Sequence, residues 1–163
     1  MFEKLTPRMS KVIELSQHIA RDYGQDYVGT EHLLLAILQE GTGPAVDILS
    51  ALGVTPAKAK AVVDELIRSS LEDTWVFGRL PGTPHFRNVM AKAIEEARAL
   101  ESKFICNEHL LLALARERGS VAHAALEKLG APLHAIRQEL ARRLDAGCED
   151  VGAIGPETPG LSD

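Results

Sequence analysis

The chain has 163 residues, of which 45% are hydrophobic and 25% charged, with a formal net charge of -5. This composition is typical of a globular protein that buries its own core. The acidic balance disfavours nucleic-acid backbones as partners, and an aromatic content of 4% disfavours base-stacking surfaces. The two cysteines, Cys106 and Cys148, form no CxxC pair, which favours a reducing compartment. With no apolar signal region and no apolar run longer than residues 33–38, we expect a cytoplasmic protein that contacts no membrane.

The first half of the chain carries four helix signals in succession. Thr6 is a favourable N-cap, and Pro7 suits the first helical position because the N–H that proline lacks would have no partner there. Apolar residues then recur at helical spacing until Gly24, a natural helix end. Similar starts and stops predict three further helices, so that the four begin near residues 7, 31, 44 and 56.

The second half repeats the first with a shift of 77 residues and no gap. Residues 31–36 and residues 108–113 both read Glu-His-Leu-Leu-Leu-Ala, and the Thr-Pro helix start at residue 6 recurs at residue 83. Matches at so many positions in one register indicate an internal duplication. The duplication predicts four further helices, which begin near residues 84, 108, 120 and 132.

The second helix of each copy is apolar nearly all round, which is typical of a helix at the centre of a bundle. No segment alternates apolar and polar residues as a half-buried strand does. The sequence therefore predicts an all-α fold of eight helices, built as two tandem four-helix repeats. The shared core is predicted to run through Leu34, Leu35, Leu38, Leu111, Leu112 and Leu114.

The repeats and their connections set the expected domain organisation. Residues 1–146 are expected to form one double domain, with repeat one over about 1–70 and repeat two over about 83–146. Residues 71–82, with glycines, a proline and two aromatic residues, are interpreted as an irregular linker. Residues 147–163 are rich in glycine and proline and are expected to be a flexible tail or linker.

Motifs of common catalysts do not occur in the sequence. There is no GxxxxGK[ST] phosphate loop, no glycine-rich dinucleotide turn and no GxSxG motif. His32 and His109 each follow a glutamate at a helix start, but the zinc motif HExxH needs a second histidine one turn later, and leucines follow here. We expect these histidines to close hydrogen bonds at helix starts, and we expect no metal and no cofactor.

Cys106 gives the sequence an alternative interpretation. A thiol near a helix N-terminus can be activated, so a small thiol- or metal-dependent enzyme using Cys106, or His32 and His109, is the alternative function. However, the sequence offers no resolving partner for Cys106, and the first copy has Gly29 at the matching position. A buried or incidental thiol is therefore favoured, and we expect the chain to have no catalytic residues of its own.

Glu31 and Glu108 occupy the first turn of the central helix in each repeat. One explanation is structural, because a carboxylate in a first helical turn is stabilised by the helix dipole, by about 0.3–1 kcal/mol. The other is functional, with each carboxylate facing a cationic group of a ligand. The residues alone leave both explanations open.

The repeated (Thr/Asn)-Glu-His-Leu-Leu-Leu-Ala resembles the Clp N-terminal domain, the double-repeat module at the start of Clp unfoldase chaperones. A Thr-Pro helix start precedes each copy and an Ala-Leu-Gly or Lys-Leu-Gly follows it, and the opening Met-Phe-Glu-Lys-Leu-Thr resembles the Clp C type. The resemblance covers residues 1 to about 146 and implies pseudo-two-fold symmetry between the repeats. The chain carries no ATPase domains, so it is either a fragment of a chaperone or a stand-alone relative.

The resemblance also implies a function and a set of site residues. Such domains dock adaptors and substrates for the unfoldase, and several members bind phosphoarginine through the motif glutamate and the helix-start threonine. Here these residues are Glu31 with Thr6 and Glu108 with Thr83. The second copy departs from the first, since Gly29-Thr30 becomes Cys106-Asn107 and Arg8 becomes His85, which makes its pocket the less certain one.

Overall fold

In a computed structural model, which describes residues 5–25, 27–70 and 83–144, the chain folds into eight α-helices. Each helix begins at the predicted residue or one residue from it, which confirms the all-α prediction. In chain order they are α1 (Pro7–Asp22), α2 (Thr30–Glu40), α3 (Pro44–Ala51), α4 (Pro56–Ser70), α5 (Pro84–Ala99), α6 (Asn107–Arg116), α7 (Val121–Lys128) and α8 (Leu133–Leu144). The predicted linker and tail lie outside the described residues.

The duplication seen in the sequence is exact at the helix starts, because α5 to α8 each begin 77 residues after α1 to α4. The same caps begin the first helix of each repeat. The Thr6 side chain accepts a hydrogen bond from the Met9 N–H, and the Thr83 side chain accepts one from the Phe86 N–H, each at 3.1 Å. A proline follows each cap at the first helical position.

The two central helices, α2 and α6, form the middle of the bundle. α1 packs along α2, and α5 packs along α6, so each repeat contains a helical hairpin. The repeats also interlock, since α3 packs on α8 and α4 packs on α7. The six predicted core leucines are all buried, which places them as expected in one shared core.

Short backbone contacts join the start of each repeat to the other repeat. The Thr6 N–H donates to the Ile105 carbonyl and the Thr83 N–H to the Val28 carbonyl, both at 3.2 Å. Leu5 and Ile105 also pair in an isolated parallel bridge. Over the described residues, the structure contains no helix with the length and apolar character that a membrane span requires. These contacts between the repeats determine which side chains lie close together at the helix starts.

Candidate ligand-binding site at the helix starts

Glu31 is the second residue of α2, and only 6% of its surface is exposed. Burial raises the pKa of its carboxyl group above the usual value, while a bond from its own backbone N–H and the charge of His85 act in the opposite direction. Such a group is costly to keep ionised without a cationic partner. The position therefore holds a buried acid that a cationic group would stabilise in its charged form.

The helix that faces Glu31 comes from the other repeat. His85 lies in the first turn of α5, and its charge acts on the Glu31 carboxyl group. The cap of that helix, Thr83, is held by its backbone bond to Val28, three residues before Glu31. Its hydroxyl accepts from the Phe86 N–H, and a hydroxyl that accepts one bond still has its own proton to donate.

The pairing of Glu31 with Thr6 and of Glu108 with Thr83, which the family resemblance implies, stays a prediction. The bonds in the structure attach Thr6 to Ile105, near Glu108, and attach Thr83 to Val28, near Glu31. Each first helix packs along the central helix of its own repeat, but its start contacts the segment before the central helix of the other repeat. Spacing along the chain carried no information about this contact.

A third helix start completes the arrangement around Glu31. The Thr30 hydroxyl accepts a hydrogen bond from the Ala122 N–H at 3.2 Å, which ties the start of α2 to the start of α7. The Ser120 hydroxyl caps the same helix by accepting from the His123 N–H. The starts of α2, α5 and α7 thus lie together, and the positive ends of their dipoles favour negative charge nearby.

His32 and His109 have the structural role expected of them. Nδ1 of each ring accepts a hydrogen bond from the backbone N–H of the residue before the helix, Gly29 at 2.8 Å and Cys106 at 2.9 Å. Burial lowers the pKa of both imidazoles to about 4, so both are neutral at physiological pH. In His32 this leaves the proton on Nε2, which donates to the Gln25 side chain at 2.7 Å.

The second copy of the site differs at the position before its central helix. The Glu31 carboxylate lies over Gly29 so closely that a Cβ on this glycine would be 2.6 Å from its Oε1 atom. The second repeat has Cys106 there, which does carry a Cβ. The Glu108 carboxylate, in a residue that is 3% exposed, therefore cannot approach residue 106 as closely as Glu31 approaches Gly29. The two helix starts are related but not identical.

The geometry gives little support to thiol or metal chemistry. Cys106 is fully buried, and its Sγ lies 3.8 Å from the Phe104 carbonyl oxygen, which accepts its weak S–H bond. A buried thiol of this kind is out of reach of a substrate. Within residues 5–25, 27–70 and 83–144, no cluster of three or more histidine, cysteine, aspartate or glutamate side chains has the arrangement of a metal site.

Comparison with known proteins identifies the duplicated unit. The sequence matches the Clp repeat (R) N-terminal domain over residues 4–76 and 81–162, one match for each repeat. The chain belongs to this family. It is 40% identical over 153 residues to the chloroplastic chaperone protein ClpC1 of Oryza sativa subsp. japonica, covering 94% of this chain and 16% of that protein. The resemblance to the Clp C type is thereby confirmed.

Two further relatives agree with this assignment. The chloroplastic ATP-dependent Clp protease ATP-binding subunit ClpA homolog CD4B of Solanum lycopersicum is 40% identical over 161 residues, covering 98% of this chain and 17% of that protein. The N-terminal domain of the chaperone ClpD from Arabidopsis thaliana has a TM-score of 0.69 at 26% identity, covering 88% of this chain and 99% of that one. The chain thus spans about a sixth of the length of the curated relatives it matches.

In this Clp N-terminal domain, sequence reasoning missed a buried carboxylate beside the site. Glu117, at the end of α6, receives hydrogen bonds from Lys92 Nζ at 2.6 Å, Asn88 Nδ2 at 3.0 Å and His85 Nδ1 at 2.6 Å. Burial alone would raise the pKa of Glu117, but these bonds and the charge of Lys92 lower it to about 2. His85 therefore lies between an ionised Glu117 and the buried Glu31.

A second buried carboxylate in the same Clp repeat was also missed. Glu96 of α5 binds Arg116 at 3.0 Å and both terminal nitrogens of Arg137 at 3.0 and 3.1 Å. Burial opposes ionisation, but the two arginines lower the pKa of Glu96 below its usual value. The duplication held a signal for this network, because the matching residues of repeat one are Ile19, Gln39 and Lys60, none of them acidic.

Proposed function

We propose that this chain is a protein-binding module that docks adaptors or substrates for a Clp-type unfoldase or protease, and that it recognises phosphoarginine on them. The observation that carries the proposal is the buried Glu31 carboxylate facing the Thr83-capped start of α5. Membership of the Clp N-terminal domain family supports the docking role. The partners are proteins rather than nucleic acids or membranes, and the proposed location is the cytoplasm.

The chemistry of phosphoarginine matches the two ends of this site. Its planar guanidinium N–H groups suit a carboxylate, which accepts a forked pair of charge-assisted bonds worth about 1.5–3 kcal/mol each. Its phosphate suits a helix start with a hydroxyl that can donate, as Thr83 can. The small exposed fraction of Glu31 favours a narrow, planar group over the broad surface of a folded partner.

Titration calorimetry with a phosphoarginine peptide tests the proposal. We expect the parent chain to release heat and the double variant Glu31→Ala with Glu108→Ala to release none, while both keep the same circular dichroism spectrum. A matched control removes two exposed helical carboxylates, Glu14→Ala with Glu65→Ala, and should bind like the parent. Equal heats from the parent and the site variant, or no heat from the parent, would contradict the phosphoarginine proposal but not protein docking.

The stoichiometry of binding separates the two possible pairings of glutamate and threonine. If Glu31 works with Thr83, the variant Glu31→Ala with Thr83→Ala loses one pocket and keeps the other. The variant Glu31→Ala with Thr6→Ala would then lose both pockets, because Thr6 serves Glu108. Pairing within each repeat predicts the reverse result. Loss of a cap costs about 1 kcal/mol, so each variant is first checked for an intact fold.

The proposal also holds that the chain catalyses nothing. The alternative, a thiol- or metal-dependent enzyme, would need Cys106, His32 or His109 to be reachable, and all three are buried. Alkylation of the native protein tests this at Cys106, whose reaction should be slow until the protein is unfolded. Rapid labelling of Cys106 under native conditions would favour the alternative.

A further inference from the structure

A cleft of about 470 Å³ opens on repeat two, lined by residues of α5, α6, α7, α8 and their connections and by neither Glu31 nor Glu108. Its floor is apolar, with Ala115 from α6, Pro132 from the α7–α8 turn and Leu133 from the start of α8. The nine residues that line it are Lys92, Ala115, Arg116, Arg118, His123, Glu127, Pro132, Leu133 and His134. Three of them are permanent cations and one is an acid, in a chain whose net charge is negative.

The duplication provides an internal control for this charge. A shift of 77 residues places the same nine positions of repeat one at uncharged side chains throughout: Leu15, Leu38, Gln39, Gly41, Val46, Ser50, Thr55, Pro56 and Ala57. Repeat one forms the same four helices without these charges. The fold therefore does not require the cations of the cleft, and their concentration in one repeat calls for another explanation.

The cations differ in how far they are already neutralised. Lys92 binds Glu117 at 2.6 Å, and Arg116 binds Glu96 and Glu95 at 3.0 and 3.1 Å. The fold therefore already neutralises Lys92 and Arg116, and their side chains form part of the cleft wall. Arg118 and His134 are exposed, and no ion pair to either occurs among the described residues. Arg118 thus leaves a positive charge at the rim that a ligand can neutralise.

We infer that this cleft is a docking site for an acidic peptide segment of a partner protein, with an aliphatic side chain of that segment seated on the apolar floor. The inference rests on the proposed role of the chain as a protein-docking module, but it uses different residues from the phosphoarginine pockets. Opposite charges at the rim steer and orient a ligand, while the floor made by Leu133 and Pro132 supplies burial of apolar surface. The two sites together let one chain hold a partner at two places.

Fluorescence anisotropy with a labelled peptide of sequence Asp-Glu-Leu-Asp-Glu tests the inference on the full chain. The test variant introduces glutamate at the two exposed rim positions, Arg118→Glu with His134→Glu. The matched control makes the same two kinds of substitution at exposed residues of repeat one, Arg21→Glu with His18→Glu. We expect the test variant to bind at least about fivefold more weakly than the parent, and the control to bind within about twofold of it.

Three further results bear directly on the inference. A peptide in which asparagine and glutamine replace the acids should lose most of the affinity, and so should a peptide with serine in place of leucine. Amide chemical shifts should move around Ala115 and His134 on binding, and not at their repeat-one counterparts, Leu38 and Ala57. An absence of binding to the parent, or equal weakening in the test and control variants, would overturn the inference. Weakening by Glu31→Ala instead would assign the peptide to the phosphoarginine pocket and overturn it as well.

Discussion

The two repeats have the same helices at the same spacing, but they are stabilised by different side chains. Repeat one places Ile19 in its core where repeat two has Glu96, and packs the half-buried Leu15 against the core where repeat two has Lys92. The apolar contacts of the first copy are thus replaced in the second by ion pairs that bury a carboxylate. Common to both are the threonine caps, the prolines after them and the leucines of α2 and α6.

The comparison separates what the fold needs from what each copy has acquired. Caps and core leucines appear in both repeats, and they are sufficient to specify four helices each time. The ion pairs of Glu96 belong to repeat two, because the matching residue of repeat one is Ile19, and the three cations that line the cleft stand where repeat one has uncharged residues. Features limited to one copy of a duplicated scaffold are the places to look for stability trade-offs and for function.

The largest effect is expected at the central helices that the repeats share. Leu112 is completely buried, whereas its counterpart Leu35 is 9% exposed. A buried Leu→Ala change costs about 2–5 kcal/mol, including the cavity that it leaves. We expect Leu112→Ala to fall in the upper part of that range and Leu35→Ala in the lower part, measured by urea unfolding. Equal losses of unfolding free energy would show that the two repeats contribute alike to the core. If Leu35→Ala caused no loss, α2 would not lie at the centre of the core.

The next largest loss of stability is expected at Glu117, the buried carboxylate at the end of α6. Glu117→Gln removes a charge that accepts three hydrogen bonds, and we expect a loss of about 1–3 kcal/mol at pH 7. The matching change in repeat one, Glu40→Gln, should cost less, because Arg8 Nε is 3.8 Å away and the hydrogen bonds that Glu40 accepts from Thr42 are exposed to solvent.

The dependence of this loss on pH follows from the lowered pKa of Glu117, about 2. A carboxyl group whose pKa is lower in the folded state stabilises the fold above its usual value of 4.5. The stabilisation is lost as the pH falls from about 4.5 towards 2, so the parent and Glu117→Gln should converge in acid. A difference that is constant with pH would show that Glu117 acts by packing alone.

The sequence predicted the structural features that both copies share, but it did not predict the features that only one copy has. Helix starts followed from local signals, such as Thr6 and Pro7, because a cap and its helix are neighbours along the chain. The contact between the start of one repeat and the segment before the central helix of the other did not, because it joins residues far apart along the chain. The bond from Thr83 to Val28 joins residues of opposite repeats, and no spacing rule predicts it.

Charged networks were missed for a related reason. Glu96, Arg116 and Arg137 lie on three different helices, so each one in isolation is an ordinary helical charge. Aligning the repeats shows that all three positions differ from their counterparts in repeat one, which are Ile19, Gln39 and Lys60. Comparing the copies for their differences, and not only for their identities, would have found the Glu96 cluster before the structure did.

A smaller effect is expected from converting that cluster to its repeat-one form. Glu96→Ile alone leaves Arg116 and Arg137 without their shared carboxylate, and we expect a loss of about 1 kcal/mol because both arginines are partly exposed. The triple variant Glu96→Ile, Arg116→Gln and Arg137→Lys restores a set that the same scaffold already tolerates. Thermal unfolding should show that it regains the loss. A triple variant less stable than the single one would mean that the repeats are not interchangeable here.

The smallest effect, and the one that bears most on function, is opposite in sign. Burial raises the pKa of Glu31 in the folded state, so this carboxyl group stabilises the fold fully only below its unfolded value and opposes folding as the pH rises through its folded pKa. Glu31→Gln removes the cost of burying a charge, and at pH 8 we expect a melting temperature higher by about 2–4 °C, equivalent to about 1 kcal/mol. At pH 4 the variant and the parent should melt together. If Glu31 only stabilised α2 through the helix dipole, its ionised form would favour folding. Glu31→Gln would then lower the melting temperature at pH 8. A stabilised variant that no longer binds the phosphoarginine peptide would show that the fold keeps Glu31 at a cost, for a ligand.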